Sequence, residues 1–98
     1  MQFVVYGSDG YDSEALNRRM AAREAHLLLG EQMKARGELL YALATLSDEG
    51  VMNGSICVVN FSSRKELDVW LAIEPYVQGK VWQKIEVKNC RVGPAFLK

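Results

Sequence analysis

The stretch ELLYALATL, residues 38–46, is apolar on both of its alternating faces. Its apolar side chains are Leu39, Tyr41 and Leu43 on one face, and Leu40, Ala42, Ala44 and Leu46 on the other. A strand of this kind needs cover on both faces. Helices of the same chain can supply one cover, but a chain of 98 residues has little left to supply the second. This requirement constrains the fold more than any other feature of the sequence.

Three further segments have the aromatic and β-branched composition of strands: residues 2–6 (QFVVY), 54–61 (GSICVVNF) and 81–92 (VWQKIEVKNCRV). In the last of them, alternation predicts two faces. One face carries Val81, Gln83, Ile85 and Val87, and the other carries Trp82, Lys84, Glu86 and Lys88. The gaps between the strands hold a turn, SDEG, and two segments of helical periodicity.

The first helical segment covers residues 14–36. Asp12 or Ser13 is the expected N-cap, and Gly37 is the expected stop. At 100° per residue, one arc of this helix collects the apolar side chains Ala21, Ala22, Ala25, Leu28, Leu29 and Met33. We expect this arc to face the sheet.

A second helix is expected to begin after Ser62 or Ser63 and to end before Pro75, because the residue before a proline is disfavoured in a helix. The element order is therefore βαββαβ. This order predicts an α+β domain of the ferredoxin-like type over residues 1–98, an antiparallel sheet with both helices on one face. The second, helix-free face of the sheet is expected to be covered by a second copy of the chain, which makes a homodimer.

Composition excludes several classes of function. Twelve Lys and Arg balance twelve Asp and Glu, so we expect neither nucleic acid nor an anionic membrane surface as a partner. Apolar runs are too short to span a bilayer, and residues 1–6 do not resemble a secretory leader. Isolated Cys57 and Cys90 indicate a reducing, cytoplasmic location, and one histidine with no nucleotide or metal motif predicts no metal and no cofactor.

The sharpest group of reactive side chains lies on the first helix. Arg19, Arg23 and His26 follow one another at i, i+4 and i+7, which places them on one stripe beside the apolar arc. Partial burial and a neighbouring guanidinium favour the neutral imidazole, the form that acts as a base. The alternative is a boundary histidine bound to a backbone group, with solvated arginines.

Glu74 closes the second helix on the same face as Trp70. Its carboxylate is placed to orient an imidazole, although a solvated glutamate before a helix-stopping proline is the simpler interpretation. Ser55, at the start of a strand, is a candidate hydrogen-bond donor to a ligand, and Tyr76 is a candidate wall of a binding cleft. We predict that His26, Glu74, Ser55 and at least one of Arg19 and Arg23 border one concave pocket for a small molecule.

Three stretches together resemble the YciI-like (YCII-related) family of the dimeric α+β-barrel superfamily: RMAAREAHL from residue 19, Gly54-Ser55, and EPYV from residue 74. The resemblance implies a histidine–carboxylate pair formed by His26 and Glu74, with glutamate where the family usually has aspartate. It also matches Asp9 to a frequent family aspartate, which makes Asp9 a candidate substrate-binding residue. It also implies a lyase-type acid–base reaction such as dehydrochlorination of a chlorinated hydroxyquinol. The alternatives are a ligand-binding or regulatory dimer without catalysis and a purely structural module.

Overall fold

The computed structural model describes residues 1–97 and contains a four-stranded sheet with helices on one face. The elements in chain order are β1 (Gln2–Asp9), α1 (Ala15–Ala35), β2 (Leu39–Leu46), β3 (Met52–Asn60), α2 (Arg64–Ile73), α3 (Pro75–Gln78) and β4 (Trp82–Cys90), followed by a 3₁₀ turn, Pro94–Phe96. The strands are ordered β2-β3-β1-β4, and every neighbouring pair is antiparallel. The fold is ferredoxin-like, which confirms the predicted class.

The core lies between the sheet and the helices. Its buried apolar side chains are Phe3, Val5, Met33, Cys57, Val59, Leu67, Trp70, Tyr76, Val81 and Trp82. The strand residues among them alternate, as expected where one face of a sheet is covered by helices. No helix within residues 1–97 is both long enough and apolar enough to cross a membrane.

The helix ends follow local sequence signals with one exception. Ser63 caps α2 by accepting a hydrogen bond from the Glu66 backbone N–H, and Gly37, with φ of 77°, ends α1 as predicted. The predicted cap of α1 was wrong, because Glu14 occupies the N-cap position without a side-chain cap. The Asp12 carboxylate instead pairs with Arg18 at 2.7 Å.

The side of α1 that faces the sheet also differs from the predicted arc. Ala21, Ala25 and Leu28 are exposed in the single chain. The inward stripe consists of Arg19, Ala22, His26, Leu29 and Met33, which are spaced three or four residues apart. Two of these five positions are polar, so a pattern read from apolar residues alone is rotated away from the true inner face.

Two bulges change which side chains share a face. On β4, Asp9 pairs with Trp82 and Ser8 with Lys84, so the intervening Gln83 is an extra residue. Trp82 is therefore buried on the helix side, whereas the prediction placed it opposite Ile85. On β2 a shift between Leu39 and Tyr41 likewise turns Leu39 toward the helices, away from its predicted neighbours Tyr41 and Leu43.

Candidate functional site

Two residues of α1 reach the interior of the site. Arg19 is buried, and the His26 side chain, seven residues later, keeps 17% of its surface exposed. Seven residues are almost two full turns, so both side chains point to the same side of the helix. Arg23 lies between them along the chain and is exposed.

Glu74 is brought to His26 by a change of direction after α2. Because Pro75 follows, Glu74 has an extended backbone, φ −63° and ψ 123°, which ends α2 and starts α3. The Glu74 carboxylate accepts a hydrogen bond from the Tyr76 backbone N–H at 3.2 Å and so caps α3 with its own side chain. Helix α3 packs on α1 and brings the Glu74 carboxylate to His26. The pair therefore forms within one chain.

Glu74 is 1% exposed, and its carboxylate accepts hydrogen bonds from three donors. Oε1 is hydrogen-bonded to Nδ1 of His26, and Oε2 accepts from Nε1 of Trp70 at 3.2 Å. A carboxylate only accepts, so Nδ1 carries a proton, and in the neutral ring Nε2 then carries the lone pair. The hydrogen bond to Glu74 thus fixes the Nδ1–H tautomer of the neutral imidazole.

Aromatic rings fix the plane of the imidazole. The His26 ring stacks on Tyr76, with centroids 3.8 Å apart and planes 8° apart, and it meets Trp82 in a T-shaped arrangement with centroids 6.1 Å apart. The Arg19 guanidinium carbon lies over the Tyr76 ring, 4.8 Å from its centroid. Burial raises the pKa of Tyr76, so its side chain stays a neutral phenol.

A buried polar network lies beside this stack. Both oxygens of Asp9 accept from Nη1 of Arg19 at 3.1 Å, and Nη2 of Arg19 donates to Oγ of Ser55 at 2.9 Å. The indole N–H of Trp82 also donates to the Ser55 oxygen, at 3.2 Å. Within residues 1–97, Nε of Arg19 has no hydrogen-bond partner. The network holds the guanidinium charge in place against the Ser55 hydroxyl.

These groups surround a cleft of about 230 Å³, hereafter the Arg–His cleft. Its walls include Arg19, Arg23, His26, Ser55 and Tyr76, five of the seven predicted site residues. Among its lining residues in the described chain there is no aspartate or glutamate. The two cationic side chains and the absence of acids in its walls favour an anionic or oxygen-rich ligand.

The other two predicted residues, Asp9 and Glu74, lie behind the cleft wall rather than in it. Asp9 pairs with Arg19, so the prediction of direct substrate contact does not match its position. Glu74 likewise does not border the Arg–His cleft, contrary to the single-pocket prediction, because its carboxylate is enclosed by its three donors. Both carboxylates orient a neighbouring group.

Trp70 and Cys57 are parts of the site that sequence reasoning did not assign to it. The i, i+4 spacing of Trp70 and Glu74 was the available signal for their hydrogen bond. Cys57 lines the cleft, but burial raises the pKa of its thiol to about 12, with a further contribution from the Glu74 carboxylate. This thiol is therefore a packing group rather than a nucleophile.

Within residues 1–97 no cluster of three or more histidine, cysteine or acidic side chains is arranged to hold a metal.

Comparison with known proteins gives one family model, described as the YCII-related domain, that matches residues 1–91. Protein YciI of Escherichia coli O6:H1 (strain CFT073) is 31% identical over 94 residues, which cover 90% of this chain and 94% of that protein. An uncharacterized protein of Haemophilus influenzae is 30% identical over the same shares of the two chains.

Two solved structures share the fold. One is a 5-chloro-2-hydroxyhydroquinone dehydrochlorinase (TftG) from Burkholderia phenoliruptrix AC1100 in complex with 2,5-dihydroxybenzoquinone. It is 23% identical, with a TM-score of 0.81 and coverage of 97% of this chain and 98% of that chain. The other is a dimeric ferredoxin-like protein of unknown function from Jannaschia sp. CCS1, at 18% identity and a TM-score of 0.56, covering 93% and 98%.

Proposed function

The chain belongs to the YCII-related family, and on that premise we propose that it is an acid–base enzyme acting on a small anionic or phenolic compound. The reaction is a proton transfer or an elimination of the lyase type. One observation carries the proposal. Glu74 is hydrogen-bonded to Nδ1 of His26, and this leaves Nε2 as the basic nitrogen of an imidazole that borders the Arg–His cleft.

The proposed elimination uses Nε2 of His26 as the general base. It removes a proton from the substrate, and the electron pair of the broken bond to hydrogen becomes a new π bond. A leaving group then departs with the electron pair of its own bond to the substrate, as chloride does in a dehydrochlorination. The Glu74 carboxylate orients the ring and stabilises the imidazolium that forms, and the stack with Tyr76 keeps the ring plane fixed.

Arg19, Arg23 and Ser55 are the proposed anchors for the substrate. The Ser55 oxygen accepts from Arg19 and Trp82, so both of its lone pairs are engaged and its hydrogen remains for donation. A serine on the cleft wall in this state binds an acceptor such as a phenolate or carbonyl oxygen. Arg23, exposed at the cleft, adds a charge that stabilises a developing oxyanion.

The fold neighbour from Burkholderia supports this substrate class. It is a dehydrochlorinase of a chlorinated hydroxyhydroquinone and holds 2,5-dihydroxybenzoquinone, a ring with oxygen atoms at its edge. Such a ring offers acceptors to a hydroxyl and to guanidinium groups, which are the donors in the walls of the Arg–His cleft.

We further propose that the chain acts as a homodimer formed through the helix-free face of its sheet, in the cytoplasm. Tyr41 is 68% exposed on that face and Leu43 is 44% exposed, which a second copy would cover. The dimeric state of the Jannaschia protein supports this arrangement. Sedimentation equilibrium at micromolar concentration tests it. We expect twice the 11.0 kDa chain mass, and a stable monomer would contradict the dimer.

The catalytic proposal is tested by screening hydroxylated and halogenated aromatics for turnover. We expect His26→Ala to lower kcat by about 10²–10⁴-fold, the usual contribution of a general base. Glu24→Gln, which neutralises an exposed carboxylate on the same helix, is the matched control and should retain activity. Ligand binding without turnover on any compound would instead favour the non-catalytic binding dimer.

The role of Glu74 has its own readout in the ¹⁵N shifts of the imidazole. We expect the wild-type neutral ring to be the Nδ1–H tautomer, and Glu74→Gln to produce a mixture of tautomers, because a neutral amide holds the ring proton less strongly. A wild-type ring with its proton on Nε2 would contradict the assignment of Nε2 as the base.

A further inference from the structure

The Arg–His cleft adjoins a second cavity of about 200 Å³ between α1 and β2. We call this second cavity the apolar groove, and its walls include Leu27, Gly30, Met33, Leu39 and Ala42. Leu27 and Ala42 border both cavities, as do His26 and Cys57. The two cavities therefore lie side by side along α1, with these four residues between them.

Small residues leave the groove open. Ala42 projects from β2 on the side of the helices, where it pairs with Cys57, and Gly30 has no side chain to fill the facing position on α1. A β-carbon built at Gly30 would come within 3.5 Å of a Leu39 methyl group, which is ordinary contact. The groove is therefore narrow beside Gly30, where a side chain larger than hydrogen would contact Leu39.

The two cavities differ in chemistry. The Arg–His cleft offers guanidinium groups, a hydroxyl and an imidazole, whereas the interior of the groove is bordered mainly by hydrocarbon. Glu74 borders the groove as well, but its carboxylate oxygens are occupied by donors. Exposed Glu31 and Lys34 form the rim of the groove on α1. A molecule that fills both cavities has an oxygen-bearing head and an apolar substituent.

We propose that the apolar groove binds an alkyl or aryl substituent of the substrate whose oxygenated ring occupies the Arg–His cleft. This proposal rests on the proposed function for the position of the head, and it adds that the enzyme selects substituted, amphipathic aromatic compounds. Burial of each methylene in such a groove raises affinity about three- to fourfold. Leu27, which is 46% exposed and borders both cavities, is the side chain that the substituent contacts as it passes from one cavity to the other.

A series of 4-alkylcatechols, from methyl to hexyl, tests the proposal by isothermal titration calorimetry with the full chain. We expect affinity to rise about threefold or more per carbon over the first few carbons and then to level off when the groove is full. Gly30→Leu fills the groove without touching the Arg–His cleft, so it should abolish the gain for the hexyl compound and leave the methyl compound unchanged. Ala25→Leu, at an exposed position of the same helix, is the matched control and should keep the wild-type dependence.

Three results would overturn the proposal. They are affinity that is independent of chain length, a gain that persists in Gly30→Leu, and dissociation of a dimer by Gly30→Leu, which would identify the groove as a contact between copies of the chain. Because the readout is binding, it is separate from catalysis. A full chain-length dependence without turnover on any compound would contradict the enzyme and support the groove.

Discussion

Replacing Glu74 by glutamine tests whether the buried carboxylate is required by its three donors. The carboxylate accepts from His26, from Trp70 and from the Tyr76 backbone, and its residue is 1% exposed. A glutamine amide has one acceptor oxygen. If that oxygen serves the His26 and Tyr76 donors, the amide NH₂ faces the indole N–H of Trp70, and two donors oppose each other.

The expected cost follows from these contacts. One buried donor without an acceptor costs about 1–3 kcal/mol. The two remaining hydrogen bonds lose their charge assistance, which roughly halves their strength and adds about 1 kcal/mol. We therefore expect Glu74→Gln to lower the free energy of unfolding by about 2–4 kcal/mol, a large part of the about 5–15 kcal/mol typical of a domain.

Urea unfolding at fixed protein concentration measures this change, and Asp68→Asn is the matched control. Asp68 pairs with Arg64 at 3.1 Å on the exposed side of α2, so its loss should cost less than about 1 kcal/mol. A double-mutant cycle with Trp70→Phe isolates the opposed donors, because phenylalanine has no N–H. We expect the cost of Glu74→Gln to fall by about 1–2 kcal/mol in that background. A loss below about 0.5 kcal/mol, or no coupling with Trp70, would refute the reasoning.

Two further predictions concern the packing around the site. Gly7 lies under the Trp82 indole, and a β-carbon at this position would overlap the ring. We therefore expect Gly7→Ala to lower the free energy of unfolding by about 1–3 kcal/mol. Wild-type stability of this variant in urea would contradict the contact. Because the pKa of Cys57 is raised to about 12, its thiolate is absent at pH 8. Iodoacetamide should then label only Cys90 in the native protein and both cysteines in urea, as mass spectrometry of the digest can check; native labelling of Cys57 would contradict its burial.

Elements that depend on local signals could be predicted from the sequence. Period-two segments located the strands, and Ser63 and Gly37 marked helix ends at positions where the structure has them. The cap of α1 could not be chosen this way, because Asp12 had a competing partner, Arg18, six residues farther along. An aspartate can serve a helix end or an arginine, and the sequence does not say which interaction is stronger.

The candidate site was predictable where a single helix sets the spacing. The seven-residue separation puts Arg19 and His26 on one side of α1, whatever that helix packs against. The contact between His26 and Glu74 was a weaker prediction, since it requires the chain to turn at Pro75 and α3 to return to α1. The family resemblance assigned Asp9 to the site, but its position there could not be predicted. Only the fold shows that Asp9 pairs with Arg19 behind the cleft wall.

The sequence by itself therefore determined the order of the strands and of the two long helices, the ferredoxin-like class and the residue types of the site, because periodicity, turns and helical spacing are properties of neighbouring residues. It did not indicate the short helix α3. Tertiary structure decided which face Trp82 and Leu39 occupy, since the bulges arise from hydrogen-bond register between strands distant in the chain. It also decided that Glu74 lies behind the cleft wall, and that Gly30 and Ala42 line the same groove between α1 and β2. Burial and cavity shape depend on which side chains meet across the core, and an amino-acid pattern read along one chain does not contain that information.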